Sequence, residues 1–268
     1  ESQPAMILGL AANRLHHHTE DAALFSWLRA CEPGIRELQL GLHAVGRTHD
    51  AIVAAGMLQG YRPLVRYPYG RDGGLMKVVA EVVGMGEGRT LDGAIYLTDP
   101  VDPSSIFPEA LALKRQCVIH GKPFLSTVAS ARDWIEMERI HAGLAPDPQA
   151  DRFHDHGTQT LALIAHDACK QAMLDFADRN FDVLSQFRHR VATGTTGLVL
   201  ERRCHRAVFF EDPHVARQHE ADIQLLERAV TTATHDAVCV TVPAVAQRWC
   251  DAVRLRAARR GGHDHFPG

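Results

Sequence analysis

Residues 160–179 read TLALIAHDACKQAMLDFADR. An apolar run ends at His166 and Asp167, and a helical pattern takes over, with Lys170 one turn in. A strand feeding directly into a helix is the unit from which parallel sheets are built. The next such junction is VATGTTGLVL, residues 191–200. Here a β-branched run stops at three threonines and two glycines before the chain turns apolar again. Strand, tight turn and helix start are the expected reading.

Outward from these two junctions the alternation continues. AMILGLAA (5–12) reads as a strand and EDAALFSWLRAC (20–31) as a helix. ELQLGLHAV (37–45) is a strand and DAIVAAGML (50–58) a helix; PLVRY (63–67) is a strand and GLMKVVAEVVGMG (74–86) a helix. LDGAIYLTDP (91–100) ends a strand, EALALKRQCVIHG (109–121) is a helix, and KPFLSTVAS (122–130) is a further strand. The expected fold is therefore α/β, with doubly wound parallel sheets in a three-layer, Rossmann-like arrangement.

The pattern then restarts. TLALIAHDACK has the strand character of AMILGLAANR, and RHRVATGTTGLVL matches LGLHAVGRTHDAIV. AVFFEDP matches AIYLTDP, and TVPAVAQRW matches TVASARDW. Four matches in the same order indicate a tandem duplication. The expected division is a first domain over 1–145, a linker over 146–158 rich in proline, glycine and polar residues, and a second domain over 159–268. From Thr48 to Asp99 is 51 positions; from Thr196 to Asp212 is 16, a shortfall of 35. The second copy thus lacks RPLVRYPYGRDGGLMKVVAEVV, about one strand and one helix. Loss of an inner strand is expected to expose a ladder edge.

Ligands of open parallel sheets collect at the carboxyl ends of the strands, where these motifs fall. Gly194 and Gly197 let backbone amides approach a ligand, and the following helix adds its positive end. With the hydroxyls of Thr193, Thr195 and Thr196, and Lys170 from the preceding junction, the cradle suits a phosphate.

LIAHDACKQ followed by VATGTTGLV resembles the methylglyoxal synthase family. FFEDPHVARQHEADIQLLERAV (209–230) resembles that family's FFxDP segment with its later histidine and aspartate, here His219 and Asp222. YPYGRDGGLMKVVAEVV (67–83) resembles its SGPxGGDxQ segment, with Asp72 at the acidic position. The resemblance implies a lyase converting dihydroxyacetone phosphate into methylglyoxal and inorganic phosphate. By resemblance Asp72 is the base that takes a carbon-bound proton. His166 and His219 polarise oxygens or shuttle protons, Asp167, Asp212 and Asp222 orient them, and Lys170 with Thr193 to Gly197 holds phosphate.

Each copy departs from the family pattern. In the first, Ala12, Asn13 and Leu15-His16 stand near the places of HD and the lysine. AVGRTHD replaces TGTTG, keeping only Gly46 and Thr48, and Ile106 stands where a histidine is expected. Arg47 and His49 replace two cradle residues, so this copy is expected to hold phosphate poorly, although Arg47 attracts anions by charge. It keeps the acid, whereas the second copy keeps the grip and both histidines. The pieces are complementary. A non-catalytic alternative is a regulatory module sensing phosphate or a small metabolite.

Bulk properties narrow the classes. With 46% apolar and 23% charged residues, the 268-residue chain can bury a core. A net charge of −3 offers no global basic field for nucleic acid. No apolar run is long enough to cross a bilayer, and no signal peptide is read. Six irregularly spaced cysteines suggest free thiols in a reducing cytoplasm. Among 17 histidines, LHHHTED (15–21) is read as a solvated loop or helix start rather than a metal site. There is no Walker loop and no GxGxxG turn. No cofactor and no metal are expected. The expected partners are dihydroxyacetone phosphate and inorganic phosphate, in a homo-oligomer, without nucleic acid or membrane. Asp72 also fits a helix cap near Gly73, Glu109 an ordinary first-turn acid, and Trp134 and Trp249 packing.

Overall fold

A computed structural model describes residues 6–13, 17–87, 89–98, 108–192, 204–214 and 237–261. The chain divides into two compact units, one up to Arg132 and one from Asp133. Each holds one sheet, and every strand pairing in both is parallel. The fold is α/β, of the doubly wound kind.

In unit 1 the strands are β1 (Ile7–Ala12), β2 (Gly41–Ala44), β3 (Leu64–Arg66), β4 (Gly93–Leu97) and β5 (Phe124–Leu125), in the order β3-β2-β1-β4-β5. All six residues of β1, ILGLAA, are buried, as a strand covered on both faces requires. Between the strands run α1 (Ala23–Leu38), α2 (Gly46–Ala54), α3 (Gly74–Val83) and α4 (Pro108–Ile119). Helix α1 buries Leu24, Trp27, Leu28, Cys31 and Ile35, one stripe at helical spacing. On α3 and α4, Val78, Val79, Val82, Leu113 and Cys117 close over Tyr67 and Tyr96.

Three local expectations change. Helix α1 does not stop at Cys31 but carries Pro33 and runs to Leu38, which shortens β2 to four residues. The buried Tyr61 hydroxyl donates to the carbonyls of Ile35 (3.1 Å) and Leu40 (2.5 Å), fixing that end. The strand expected over 122–130 has only two ladder residues, because helix α5 (Val128–His141) begins soon after. The strand expected to be missing from a second copy, β3, is the outermost of the unit 1 sheet and not an inner one.

Unit 2 contains the C-terminal part of α5, two 3-10 helices over Pro148–His154 and His156–Thr158, and strands β6 (Thr160–Ala165), β7 (His189–Ala192), β8 (Arg206–Phe210) and β9 (Val238–Val240). The strand order is β7-β6-β8-β9. Helices α6 (Lys170–Arg179), α7 (Phe181–Leu184) and α8 (Pro243–Gly261) belong to the same unit. Met173 and Phe176 bury one face of α6, and Phe176 meets Phe210 edge-on at 5.4 Å. Trp134 and Trp249 are both buried, consistent with a packing role.

Arg206, 1% exposed, makes a two-pronged pair with Asp133 (2.9 and 2.6 Å) and lies 4.3 Å from the Trp249 ring centroid. The ring of His156 stacks on Phe187 at 4.3 Å. None of the six cysteines is in a disulfide. Among the described residues no helix is long and apolar enough to cross a membrane.

Candidate functional site

Strand β6 delivers His166 to its carboxyl end. The amide of His166 donates to the Phe210 carbonyl (3.0 Å), continuing the ladder with β8 one step past the strand. Its Nδ1 then accepts from the backbone N–H of Asp212 at 2.8 Å. An amide can only donate, so Nδ1 carries a lone pair, and a neutral ring holds its proton on Nε2. Phe209 packs edge-on against the ring at 5.2 Å, which fixes its plane. The result is an oriented ring that, when neutral, carries its proton on Nε2, the form that polarises an oxygen without carrying charge.

Around it, Asp167 and Cys169 bound a single 3-10 turn, and α6 starts at Lys170. Lys170 Nζ lies 2.6 Å from Asp167 Oδ1, with the side chains 64% and 94% exposed. So exposed a pair holds its partners loosely, and the ammonium is available to an anion. Asp212 accepts from the His214 amide (2.9 Å) through Oδ1, the turn expected of an Asp-Pro pair. Burial, with the nearby carboxylates of Asp212 and Glu211, raises the Cys169 thiol. Four of the expected residues thus meet at the ends of β6 and β8, joined pairwise as His166 with Asp212 and Asp167 with Lys170. The cradle residues Thr193, Gly194, Thr195, Thr196 and Gly197, and the later His219 and Asp222, lie outside the described residues.

Asp72 is in unit 1. It closes a 3-10 turn over Gly70–Asp72 and is exposed. It does not cap α3, whose N-cap is Gly73 with no side-chain hydrogen bond. The turn is held by close backbone packing. A Cβ on Gly74 would come within 1.9 Å of the Pro68 carbonyl oxygen, and one on Gly46 within 3.0 Å of Tyr67 O. Only glycine lets the exit of β3 pass between the starts of α2 and α3.

That packing forms one wall of a cavity of about 560 Å³ at the carboxyl ends of β1, β2 and β4. Its lining was not anticipated from the sequence. Asn13 stands immediately after β1, and its amide donates to Leu97 O (2.9 Å) as that of His166 does to Phe210 O. Four positions on, His17 Nε2 is hydrogen-bonded to Thr48 Oγ1 (3.2 Å), which also accepts from the Ala12 amide (3.1 Å). Arg47, Arg71, Tyr96 and Glu109 complete the polar and aromatic lining. Burial, and secondarily the Glu109 carboxylate, pushes the Tyr96 hydroxyl up to about 12 and keeps it a neutral donor. The available signal was positional, since Asn13 and His17 share the four-residue spacing of His166 and Lys170. Among the described residues no group of three histidine, cysteine or acidic side chains is placed to hold a metal ion.

No family model and no solved structure matches the chain. Curated sequences do. It is 33% identical over 103 residues to the methylglyoxal synthase of Agrobacterium fabrum, an alignment covering 28% of this chain and 80% of that protein. It is 35% identical over 97 residues to the methylglyoxal synthase of Thermus thermophilus, covering 26% of this chain and 76% of that one. A shorter stretch of 45 residues is 51% identical to the methylglyoxal synthase of Maridesulfovibrio salexigens, covering 16% of this chain and 27% of that protein. Likeness at this level over 80% and 76% of the first two relatives' length establishes kinship: the chain belongs to the methylglyoxal synthase family.

Proposed function

We propose that the chain is a cytoplasmic carbon–oxygen lyase that eliminates inorganic phosphate from dihydroxyacetone phosphate and yields methylglyoxal. The observation that carries this reading is the Asp212 amide on His166 Nδ1, which sets the ring's tautomer at a strand end four positions before Lys170. In the reaction, Asp72 takes a proton from the hydroxymethyl carbon beside the carbonyl. The electron pair moves onto the carbonyl oxygen as an enediolate, which His166 and His219 hold. Asp167 and Asp222 orient these groups. The bond from carbon to the phosphate oxygen then breaks, phosphate leaves with the electron pair, and the remaining enol becomes methylglyoxal. Lys170 and Thr193 to Gly197 grip the phosphate throughout. Atoms and electrons balance without a redox partner.

The chain is read as two copies of one domain, residues 1–145 and 159–268, joined by 146–158. Support comes from the strand orders. In each sheet the first strand lies between the second and the one that ends in TDP or EDP. The base is assigned to Asp72 because the second copy lacks the segment that would carry its own. A homo-oligomer belongs to the same reading.

The test is release of methylglyoxal and phosphate from dihydroxyacetone phosphate by the full chain. Asp72→Asn is expected to lower the rate about 10²–10⁴-fold while inorganic phosphate still binds. Lys170→Ala is expected to weaken phosphate binding. A wild-type chain that binds phosphate but never turns over would replace this reading with the regulatory one.

A further inference from the structure

The cavity of unit 1 is not explained by that reaction. We propose that it is a second ligand site, which binds a small hydroxylated organic anion through Arg47 and Arg71 and does not convert it.

Charge comes first. In unit 1, Arg36 pairs with Glu32 at 3.0 Å and Arg66 with Asp50 at 2.9 Å. Among the described residues neither Arg47 nor Arg71 has a carboxylate partner, and both line the cavity. Arg71 lies near the Tyr69 ring, 5.9 Å from its centroid. Arg47 also sits in the first turn of the nine-residue helix α2, where amides lack acceptors within the helix. Two guanidinium forks at one mouth match the paired oxygens of a carboxylate or phosphate.

Size and walls come next. About 560 Å³ suits a metabolite rather than a bare ion. Tyr96, Leu75 and Val45 supply apolar wall, while Glu109 and the buried Asn13 and Thr48 supply polar lining. A carboxylate in the lining favours a ligand that carries hydroxyl or amine donors besides its anionic end.

Chemistry comes last. Asn13 occupies the position after β1 that His166 occupies after β6, each with its amide on the last residue of the neighbouring strand. An amide side chain neither takes nor gives a proton at this point. Arg47 takes the place that Thr195 has in the cradle sequence, so a hydroxyl grip has been exchanged for a guanidinium. The described lining therefore suits holding an anion: the strand-end imidazole is replaced by an amide, and the imidazole present, His17, is hydrogen-bonded to Thr48 Oγ1.

Calorimetry on the full-length Lys170→Ala chain tests this, because that background weakens the phosphate grip proposed for the second unit. A failure of that earlier reading therefore leaves this one standing. The probes are glycerol 3-phosphate, which has no carbonyl to enolise, and tartrate, a hydroxylated dicarboxylate. One of them is expected to bind at one per chain, and the preferred probe identifies the anion. Arg47→Ala and Arg71→Ala should each weaken it by about tenfold to a hundredfold, with Arg47→Lys intermediate. In the wild-type chain the bound probe should shift the amide resonances of Thr48 and Gly70. No binding of either probe, binding indifferent to both arginines, or shifts absent from Thr48 and Gly70 would overturn the assignment.

Discussion

The backbone amide of Asp212 donates to Nδ1 of His166 at 2.8 Å. Because the donor is main chain, the relationship does not depend on the aspartate side chain. Nitrogen-detected spectra of histidine-labelled protein at neutral pH should show His166 as the tautomer protonated at Nε2. Asp212→Ala should leave that tautomer in place, since the N–H remains. A ring protonated at Nδ1 would contradict the assigned role, because the edge beyond Asp212 would then have no proton to offer.

Gly74 is irreplaceable on geometric grounds. Gly74→Ala puts a methyl carbon 1.9 Å from a carbonyl oxygen, and that neighbour is backbone, not a side chain that can rotate away. Overpacking of this kind costs about 1–3 kcal/mol. Urea unfolding of the variant should show that loss, and retained stability would mean that the Pro68–Tyr69 backbone moves freely. Gly73→Ala is strained for another reason, a φ of 92° with open space around it.

The ion pair of Arg206 and Asp133 is buried at both ends. Asp133→Ala removes the carboxylate from a buried guanidinium and should cost about 3–5 kcal/mol. By contrast, Asp167→Asn breaks an exposed pair and should change stability by less than about 1 kcal/mol. Chemical denaturation of the two variants side by side checks both figures.

Acid should act on unit 2 through two histidines. Burial is the main cause that lowers His154 to about 3 and His156 to about 4, and the charges of Arg206 and Arg256 add to it against Asp133. An unfolded chain takes up protons near 6.5 that the folded one refuses. The stabilisation is therefore complete above that pH and is lost as pH falls toward 4 and 3. Roughly 2–4 kcal/mol should disappear between pH 7 and pH 5. Melting curves across that range should steepen this way, and His154→Gln should remove about half of the slope.

Apolar runs located β1, β4, β6 and β8, while β9 was not singled out. β1 and β6 are buried on both faces, so their sequences are unbroken, and each ends where a polar residue must meet solvent or ligand. Lengths near helix starts were harder to read. Pro33 looks like a stop, yet the carbonyls at the end of α1 are held by Tyr61, a residue 26 positions from Ile35. The edge position of β3 is a pairing fact with no local signature. The unit-1 cavity was missed because its lining arrives from several separate segments, and Glu109 is a first-turn acid as well as a wall residue.

The two sides of that cavity differ in how firmly the sheet holds them. Ala11, Ala12 and Tyr96 belong to β1 and β4, which have neighbours on both flanks. Tyr69, Gly70 and Arg71 follow β3, a three-residue strand at the margin with two exposed positions. Marginal, partly solvated segments open locally at lower free energy than central ones. Amide hydrogens of residues 64–66 should therefore exchange with deuterium well before those of β1. A ligand that bridges Arg47 and Arg71 would tie the yielding wall to the fixed one and should slow that exchange most.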